Sequence, residues 1–332
     1  MGQKKINYPS IDDHLGAGSG RYFGAGYRRV EHSVHSAVVD RDNASVEASA
    51  VVGYPVDWST KSSRRKLVPH LSTIDAAVLS VVLAEAYLTS TFALNDDQRR
   101  TMWLRRMVIK AGNKPQEQLE GFRISANHRE TTGRPDGTSV SVLDSQLGGL
   151  RTRVEVVHDE GRHICGSGRE ALPDDLLGDP DRRYYANGFR AHQQRIADVA
   201  LDLDATEVSG RVQVTGEVFP DGFAGAYQPG ITVVDGMIVL AQLAQSLLYH
   251  VDDIRRGDSN TLWMRQVDFT AGSPHQRSTE FRTSTSITRS RLLGFDGGTW
   301  RTSDWTADFA GLRYAYRLAH RLPAETRLAV SS

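Results

Sequence analysis

The chain is written twice, and any fold it adopts must have two equivalent halves. Residues 69 to 112 and 229 to 272 align without a gap at a constant shift of 160. Identical pairs include Pro69/Pro229, Asp75/Asp235, Leu83/Leu243, Ala84/Ala244, Trp103/Trp263, Arg105/Arg265 and Gly112/Gly272. Most other pairs exchange one aliphatic residue for another. Downstream, Gly149-Leu150-Arg151 matches Gly311-Leu312-Arg313, now shifted by 162. Upstream, one alternating run ends at Tyr54-Pro55 and its counterpart at Phe219-Pro220. The repeat divides the chain into an N-terminal extension (1–30), unit one (31–160), a linker (161–194) and unit two (195–325). The linker is rich in Gly, Pro and Asp, the composition of connecting segments.

Each unit carries the same order of elements. Val46, Ala48, Ala50 and Val52 alternate, as do Val212, Val214, Gly216 and Val218; a period of two predicts a strand. A loop containing Pro follows, then a helix. Ile74, Ala77, Val78, Val81, Val82 and Leu88 fit helical spacing, as do Val234, Met237, Ile238, Ala241 and Leu248. Both helices are apolar nearly all round, which predicts burial on most sides. Three strand-like runs follow in each unit, at 102–110, 121–130 and 139–157, and at 262–270, 280–290 and 299–318. The expected class is α+β: a tandem (double) hotdog, each unit an antiparallel sheet wrapped around one long buried helix.

Composition narrows the function. Lys+Arg and Asp+Glu are 40 each. That balance argues against wrapping a nucleic acid, which needs a basic excess or stripe. The one cysteine, Cys165, cannot form an internal disulfide or a Cys-based zinc site. The histidines show no metal-ligand pattern, so no metal and no cofactor are expected. The N-terminus lacks the apolar core of a signal peptide. Acidic or amide residues interrupt the apolar runs short of the roughly 20 residues a membrane span needs. A cytoplasmic protein is expected.

Two resemblances sharpen this. Pro229-Gly230-Ile231-Thr232-Val233-Val234-Asp235-Gly236-Met237, with Leu240-Ala241-Gln242 after it, is similar to the helix-start motif of hotdog hydroxyacyl-carrier-protein dehydratases. The blocks INYPSIDDHLGAGSGRYFGAGYRRVEH, GYPVDWSTK and PHLSTID resemble the AvrD family of bacterial proteins, in order and over almost the whole chain. That resemblance implies an enzyme of syringolide-type signal-lipid synthesis. It would join a 3-oxoacyl chain, delivered as an acyl carrier protein or coenzyme A thioester, to a small sugar or polyol. The other readings are a conventional hotdog dehydratase or thioesterase, and a non-catalytic acyl-lipid binding protein. A homodimer of two-unit protomers is compatible with all three.

Asp75 and Asp235 stand in the first turn of the two helices, where hotdog dehydratases keep a catalytic carboxylate. Desolvation there would raise the pKa and suit a general acid or base. Ser72-x-x-Asp75 and Thr232-x-x-Asp235 also fit a capping box, which needs no catalysis. The dehydratase histidine is missing: its slot holds Lys61 in unit one and Asp221 in unit two. His70, in place of Gly230, is the alternative base. Trp103 and Trp263 would pack or stack on a ligand, and Arg105 and Arg265 could hold a phosphate of the thioester arm. The Gly16–Arg21 run fails the context of a dinucleotide fingerprint and reads as a flexible opening segment. Arg28 and Arg29 are candidates for an anionic entrance. Cys165 could hold an acyl group, though no partner base is evident. The differences around His70 and the longer loop before it predict a single productive pocket.

Overall fold

The computed structural model describes residues 4–59, 68–164, 166–259, 262–274 and 279–323. Unit one contains β2 (Glu31–Asp40), β3 (Ser45–Gly53), α2 (Thr73–Phe92), β4 (Trp103–Lys110), β5 (Phe122–Gly133), β6 (Thr138–Leu147) and β7 (Leu150–Asp159). Unit two repeats the order with β9 (Gln193–Asp202), β10 (Glu207–Thr215), α4 (Val233–Val251), β11 (Trp263–Ala271), β12 (Glu280–Phe295), β13 (Gly298–Phe309) and β14 (Leu312–Arg321). β1 (Lys5–Ser10), α1 (Ile11–Leu15), α3 (Asp96–Arg100) and β8 (Arg169–Ala171) complete the strands and α-helices of the described residues.

All strands join in one fourteen-stranded sheet, ordered β1-β9-β10-β12-β13-β14-β11-β4-β7-β6-β5-β3-β2-β8. The strand order within unit one, read inward from β2, is the order within unit two read inward from β9. The halves meet where β4 runs antiparallel to β11. There Val108 faces Asp268, Met107 faces Phe269 and Ile109 faces Val267. The residues at this centre are 160 apart, so the repeat shift becomes a local two-fold relation. Arg106 crosses the joint to Asp268 at 2.7 Å.

The run 139–157 is two strands rather than one: β6 and β7 form a hairpin that turns at Gly148 and Gly149. The run 299–318 is likewise the hairpin β13–β14. Alternation continues across a tight turn when the hairpin register keeps the same face inward, so the pattern hides the break. The period-two run also overreaches in unit two, because β10 ends at Thr215 and Val218 is exposed.

Both helices begin where the sequence places them. Ser72 and Thr232 are the N-caps, and Asp75 and Asp235 close reciprocal capping boxes. α2 ends at Ala93 in the left-handed region, with φ of 48°. Ile74, Val78, Val81, Leu88, Val234, Ile238, Leu243 and Leu247 are buried, each helix lying under its own half of the sheet. α2 and α4 also touch each other. By length and composition both could cross a membrane, but 89% of each window is buried inside the protein. Gly236 shows how tight the packing is: a Cβ there would lie 2.1 Å from the Tyr314 hydroxyl, which donates to the Val233 carbonyl.

The opening segment and the linker are structural rather than loose. β1 pairs with β9 at the edge of unit two, and β8 pairs with β2 at the edge of unit one. Between them, Arg21, Tyr22, Tyr27, Arg183, Tyr184 and Phe189 are buried. The expectation of flexibility at Gly16–Arg21 is therefore corrected. Just beyond that run, Gly24 and Gly26 allow close packing: a Cβ on Gly26 would lie 2.1 Å from the Trp58 carbonyl oxygen.

Candidate active site at the junction of the units

The first turn of α2 is built around Asp75, which is fully buried. His32, on β2, donates from Nε2 to Asp75 Oδ1 at 2.8 Å. The Tyr54 hydroxyl and the Ser72 backbone N–H donate to Oδ2, the latter at 2.7 Å. Burial by itself would raise the Asp75 pKa; the hydrogen bonds from His32, Tyr54 and Ser72, with the His32 charge, outweigh it and hold the carboxyl below the usual range. Asp75 is thus kept ionised, opposite to the raised pKa expected of a desolvated base. Asp235 behaves the same way: burial pushes up, while His192, Gln194 and Thr232 pull the carboxyl down more strongly. Gln194 donates to Asp235 Oδ1 at 2.7 Å.

Next to the α2 cap opens a cavity of about 840 Å³. Its floor includes Ser72 and Thr73 of α2, Tyr22 and Trp58. Unit two supplies the opposite wall through Ala241, Gln242 and Gln245 of α4 and Trp263, Met264 and Arg265 of β11. The cavity therefore belongs to neither unit alone. Tyr22 Oη and Ser72 Oγ lie 2.6 Å apart at its edge. Burial, then the Asp75 charge, raises the Tyr22 pKa well above its ordinary value, so this hydroxyl stays protonated.

His70 lines the same cavity, its ring 4.9 Å from that of Trp263. Its Nδ1 lies 3.1 Å from the Val68 carbonyl oxygen. A carbonyl only accepts, so Nδ1 carries a hydrogen, and in the neutral ring Nε2 is then the acceptor nitrogen. That is the tautomer a general base needs.

The two-fold counterpart of this cavity is divided, and the part at the α4 cap is nearly closed. Trp103, Tyr185, Gly230, Ile231, Thr232 and Ala271 line that part, in the places of Trp263, Phe23, His70, Leu71, Ser72 and Ala111, and its volume is about 50 Å³. A separate space of about 310 Å³ lies beside it, bordered by Trp103 and Tyr227 and by Arg134, Thr138 and Val157 in the places of Asp296, Trp300 and Ala319. Phe223 and Tyr227 line the nearly closed part. They are fixed by backbone and side-chain bonds: Phe223 N–H donates to buried Glu85, Ala224 N–H to the Met102 carbonyl, and Tyr227 Oη to the Thr101 carbonyl.

The predicted residues separate accordingly. His70, Trp263 and Arg265 reach the open cavity, and Arg265 also donates to the Gly112 carbonyl at 2.9 Å. Trp103 borders the closed space and the separate one beside it, not the open cavity. Arg105 is exposed near Glu155 at 3.6 Å and lines neither. Asp75 and Asp235 sit behind their caps and do not line either space. Arg28 and Arg29 form no entrance: Arg28 donates to the Arg190 carbonyl, and Arg29 pairs with Asp57. Asp221 is held by Arg182, while Lys61 and Cys165 lie outside the described residues.

Sequence reasoning missed His32, Tyr22 and Arg21. A signal for them existed. Arg21-Tyr22-Phe23, Gly26-Tyr27-Arg28 and Arg183-Tyr184-Tyr185, Gly188-Phe189-Arg190 match at a shift of 162, so the repeat reaches into the segments set aside as extension and linker. The equivalence holds in space: Tyr184 Oη lies 2.6 Å from Thr232 Oγ1, as Tyr22 does from Ser72.

Two buried helices under one antiparallel sheet, with an apolar cavity at the start of one helix and the flank of the other, define an α+β protein of hotdog type. Residues 6–323 match the family described as Pseudomonas avirulence D protein (AvrD), and the chain belongs to that family. Among curated proteins, none matches the chain. Solved structures similar to it include the tesB protein of Mycobacterium avium subsp. paratuberculosis, with TM-score 0.41 and 8% identity over 86% of this chain and 96% of that one. The 12:0-ACP thioesterase from Umbellularia californica has TM-score 0.39 and 10% identity over 93% and 97%. The dehydratase domain of the polyketide PpsC from Mycobacterium tuberculosis has TM-score 0.31 and 14% identity over 87% and 96%.

Proposed function

We propose that the chain is a tandem double hotdog enzyme, divided as 1–30, 31–160, 161–194 and 195–325, that acts in the cytoplasm on a 3-oxoacyl thioester. It transfers the acyl chain to a small sugar or polyol, giving a syringolide- or butenolide-type signal lipid. The observation that carries this is the asymmetry of the two equivalent regions, one cavity of about 840 Å³ at the α2 cap against about 50 Å³ at the α4 cap with a separate 310 Å³ beside it. The open one falls within the roughly 300–1,000 Å³ range of small-molecule sites. An unneeded cavity costs stability, so two copies of one unit packed to such different volumes point to selection for a ligand in one of them. AvrD family membership supports the acyl-sugar product.

The thioester carbonyl lies against the start of α2, where the N-terminal partial charge favours a developing oxyanion. His70 Nε2 takes the proton of the acceptor hydroxyl as its oxygen attacks the thioester carbon. The C–S bond then breaks, and the imidazolium returns that proton to the departing thiolate of the carrier protein or coenzyme A. Trp263 holds the imidazole from its side. Asp75 does not touch substrate; it positions the α2 cap, Ser72 and Tyr22. Asp235 does the same for a site that Phe223 and Tyr227 have closed.

Incubation with 3-oxooctanoyl thioester and a panel of sugars, followed by mass spectrometry, tests this. An acyl-sugar adduct is expected. Free acid or an enoyl product would assign a thioesterase or dehydratase, and unchanged thioester retained on the protein would assign a binding protein.

A further inference from the structure

The two copies treat one arginine differently. Arg183, from the segment before unit two, reaches back to α2 and donates to Glu85 at 2.7 Å. Glu85 is fully buried and also lies 3.7 Å from Arg99. Arg21 is the repeat-equivalent of Arg183 and makes the reciprocal crossing to α4 of unit two. What it meets there is neutral: Nη1 donates to Gln242 at 2.8 Å, and the position equivalent to Glu85 is Gln245. In the closed site an internal carboxylate sits beside the arginine. In the open site that carboxylate is missing and a cavity stands in its place.

Cationic side chains gather at the open site. Arg21 is 4% exposed, and its Nε is buried without a hydrogen-bond partner among the described residues. Its acidic partner is Asp12, whose side chain is 52% exposed. Arg256 stands close enough that its charge adds to burial in lowering the Arg21 pKa, against the pull of Asp12. It bonds to the Gly20 carbonyl, a neutral group, at 2.8 Å. Among the described residues, the cavity lining has Arg21, Lys114, Arg256 and Arg265 against Asp296. Cations concentrated around a partly desolvated space attract an anion strongly, and guanidinium forks suit phosphate.

We infer that Arg21 and Arg256, beside Gln242 and Gln245, form a phosphate subsite of the open cavity, occupied by a phosphate group of a substrate. This rests on the acyl-transfer reading only in naming the molecule as a substrate. The phosphate can belong to a phosphorylated polyol acceptor or to the pantetheine-phosphate arm of the thioester. Glu85 plays the corresponding anion in the closed copy, so the subsite was present in both units and one has been filled from within.

Inorganic phosphate is the first probe. It is expected to raise the melting temperature of the full chain saturably, and Arg256→Gln is expected to weaken that affinity about tenfold or more. Arg21→Gln should do the same where it folds; Arg256 is the safer variant because it is only half-buried and bonds to a backbone carbonyl. Kinetics then identify the source. With a phosphate-free N-acetylcysteamine thioester as donor, a raised KM for glycerol 3-phosphate but not for glycerol in Arg256→Gln places the acceptor's phosphate there. A raised KM for the coenzyme A thioester but not for the N-acetylcysteamine thioester places the arm there. No saturable stabilisation by phosphate, or stabilisation unchanged in Arg256→Gln, overturns the subsite. Acyl transfer to neutral sugars with no phosphate effect would leave the enzyme reading standing without the subsite. Phosphate binding without any thioester turnover would do the reverse.

Discussion

His32 Nε2 and Asp75 Oδ1 lie 2.8 Å apart, joining β2 to the first turn of α2 across 43 residues of chain. With Tyr54 and Ser72 on the other oxygen, this buried carboxylate accepts from three donors. An amide at this place would set an NH2 group against donors. Asp75→Asn should therefore destabilise the protein by about 2 kcal/mol or more, beyond the roughly 1 kcal/mol typical of an N-cap change. Chemical denaturation of the variant checks it. A loss under about 0.5 kcal/mol would show that the network is not worth its burial.

The same bonds set the response to acid. Asp75 and Asp235 have pKa values below their unfolded values, so their stabilisation is present at neutral pH. It is lost as pH falls below about 4, where the unfolded chain takes up protons first. Melting temperature measured from pH 6 to pH 2 should fall most steeply below that point. In a folded Asp75→Asn variant the fall should be shallower; an unchanged slope would argue against the depressed pKa.

A second window lies higher. Tyr8, His14 and His250 stack where β1 and α1 meet the end of α4: the His14 and His250 rings are 4.6 Å apart, and Tyr8 Oη is 2.8 Å from His250 Nε2. Burial lowers both histidine pKa values, with His250 also lowering His14, Lys4 lowering His250 and Asp253 opposing it. A depressed histidine favours folding above its unfolded pKa, and that advantage declines as pH falls below about 6.5. The hydrogen-exchange protection factors of β1 and α1, corrected for the pH dependence of intrinsic exchange, should fall between pH 7 and pH 5 before those of the rest of the sheet. A uniform fall in protection across the sheet would refute a local effect.

His70→Ala should lower kcat by roughly 100-fold or more, the ordinary share of a general base, with little change in melting temperature because the ring sits at a cavity rim. Asp235→Asn should show the opposite separation: reduced stability, and near wild-type turnover per folded molecule. Equal loss of turnover in both would mean that the second unit also carries chemistry.

Titration with a non-hydrolysable acyl thioester analogue should saturate at one ligand per chain and perturb Trp263 fluorescence but not that of Trp103. Trp263→Phe and Trp103→Phe separate the two signals. Two equivalent ligands would contradict the closure of the second cavity.

Glu85→Gln should cost about 3–5 kcal/mol, since it leaves Arg183 and Arg99 buried without their shared carboxylate. Thermal or urea unfolding reads this directly; a neutral outcome would show that water already compensates those cations.

The sequence alone determined the repeat, both helices to their caps at Ser72 and Thr232, and the inward faces of most strands. These are local properties: helical and period-two spacing bury one face whatever lies opposite, and a capping box closes within four residues. It also singled out His70, because the repeat showed that the copies differ there, and Trp263 and Arg265, because the copies agree. Tertiary structure alone decided which pocket stays open, since that depends on Phe223 and Tyr227 filling a space whose walls come from both units. It alone brought His32 to Asp75, sent Arg21 to α4 and Arg183 to α2, and made the opening segment and the linker into sheet edges and core. Such contacts join residues tens to hundreds of positions apart, and no periodicity encodes them. The pKa of Asp75 was undecidable for the same reason: burial and hydrogen bonding act in opposite directions, and the donors that settle the sign include Tyr54 and His32, which only the folded chain brings to it.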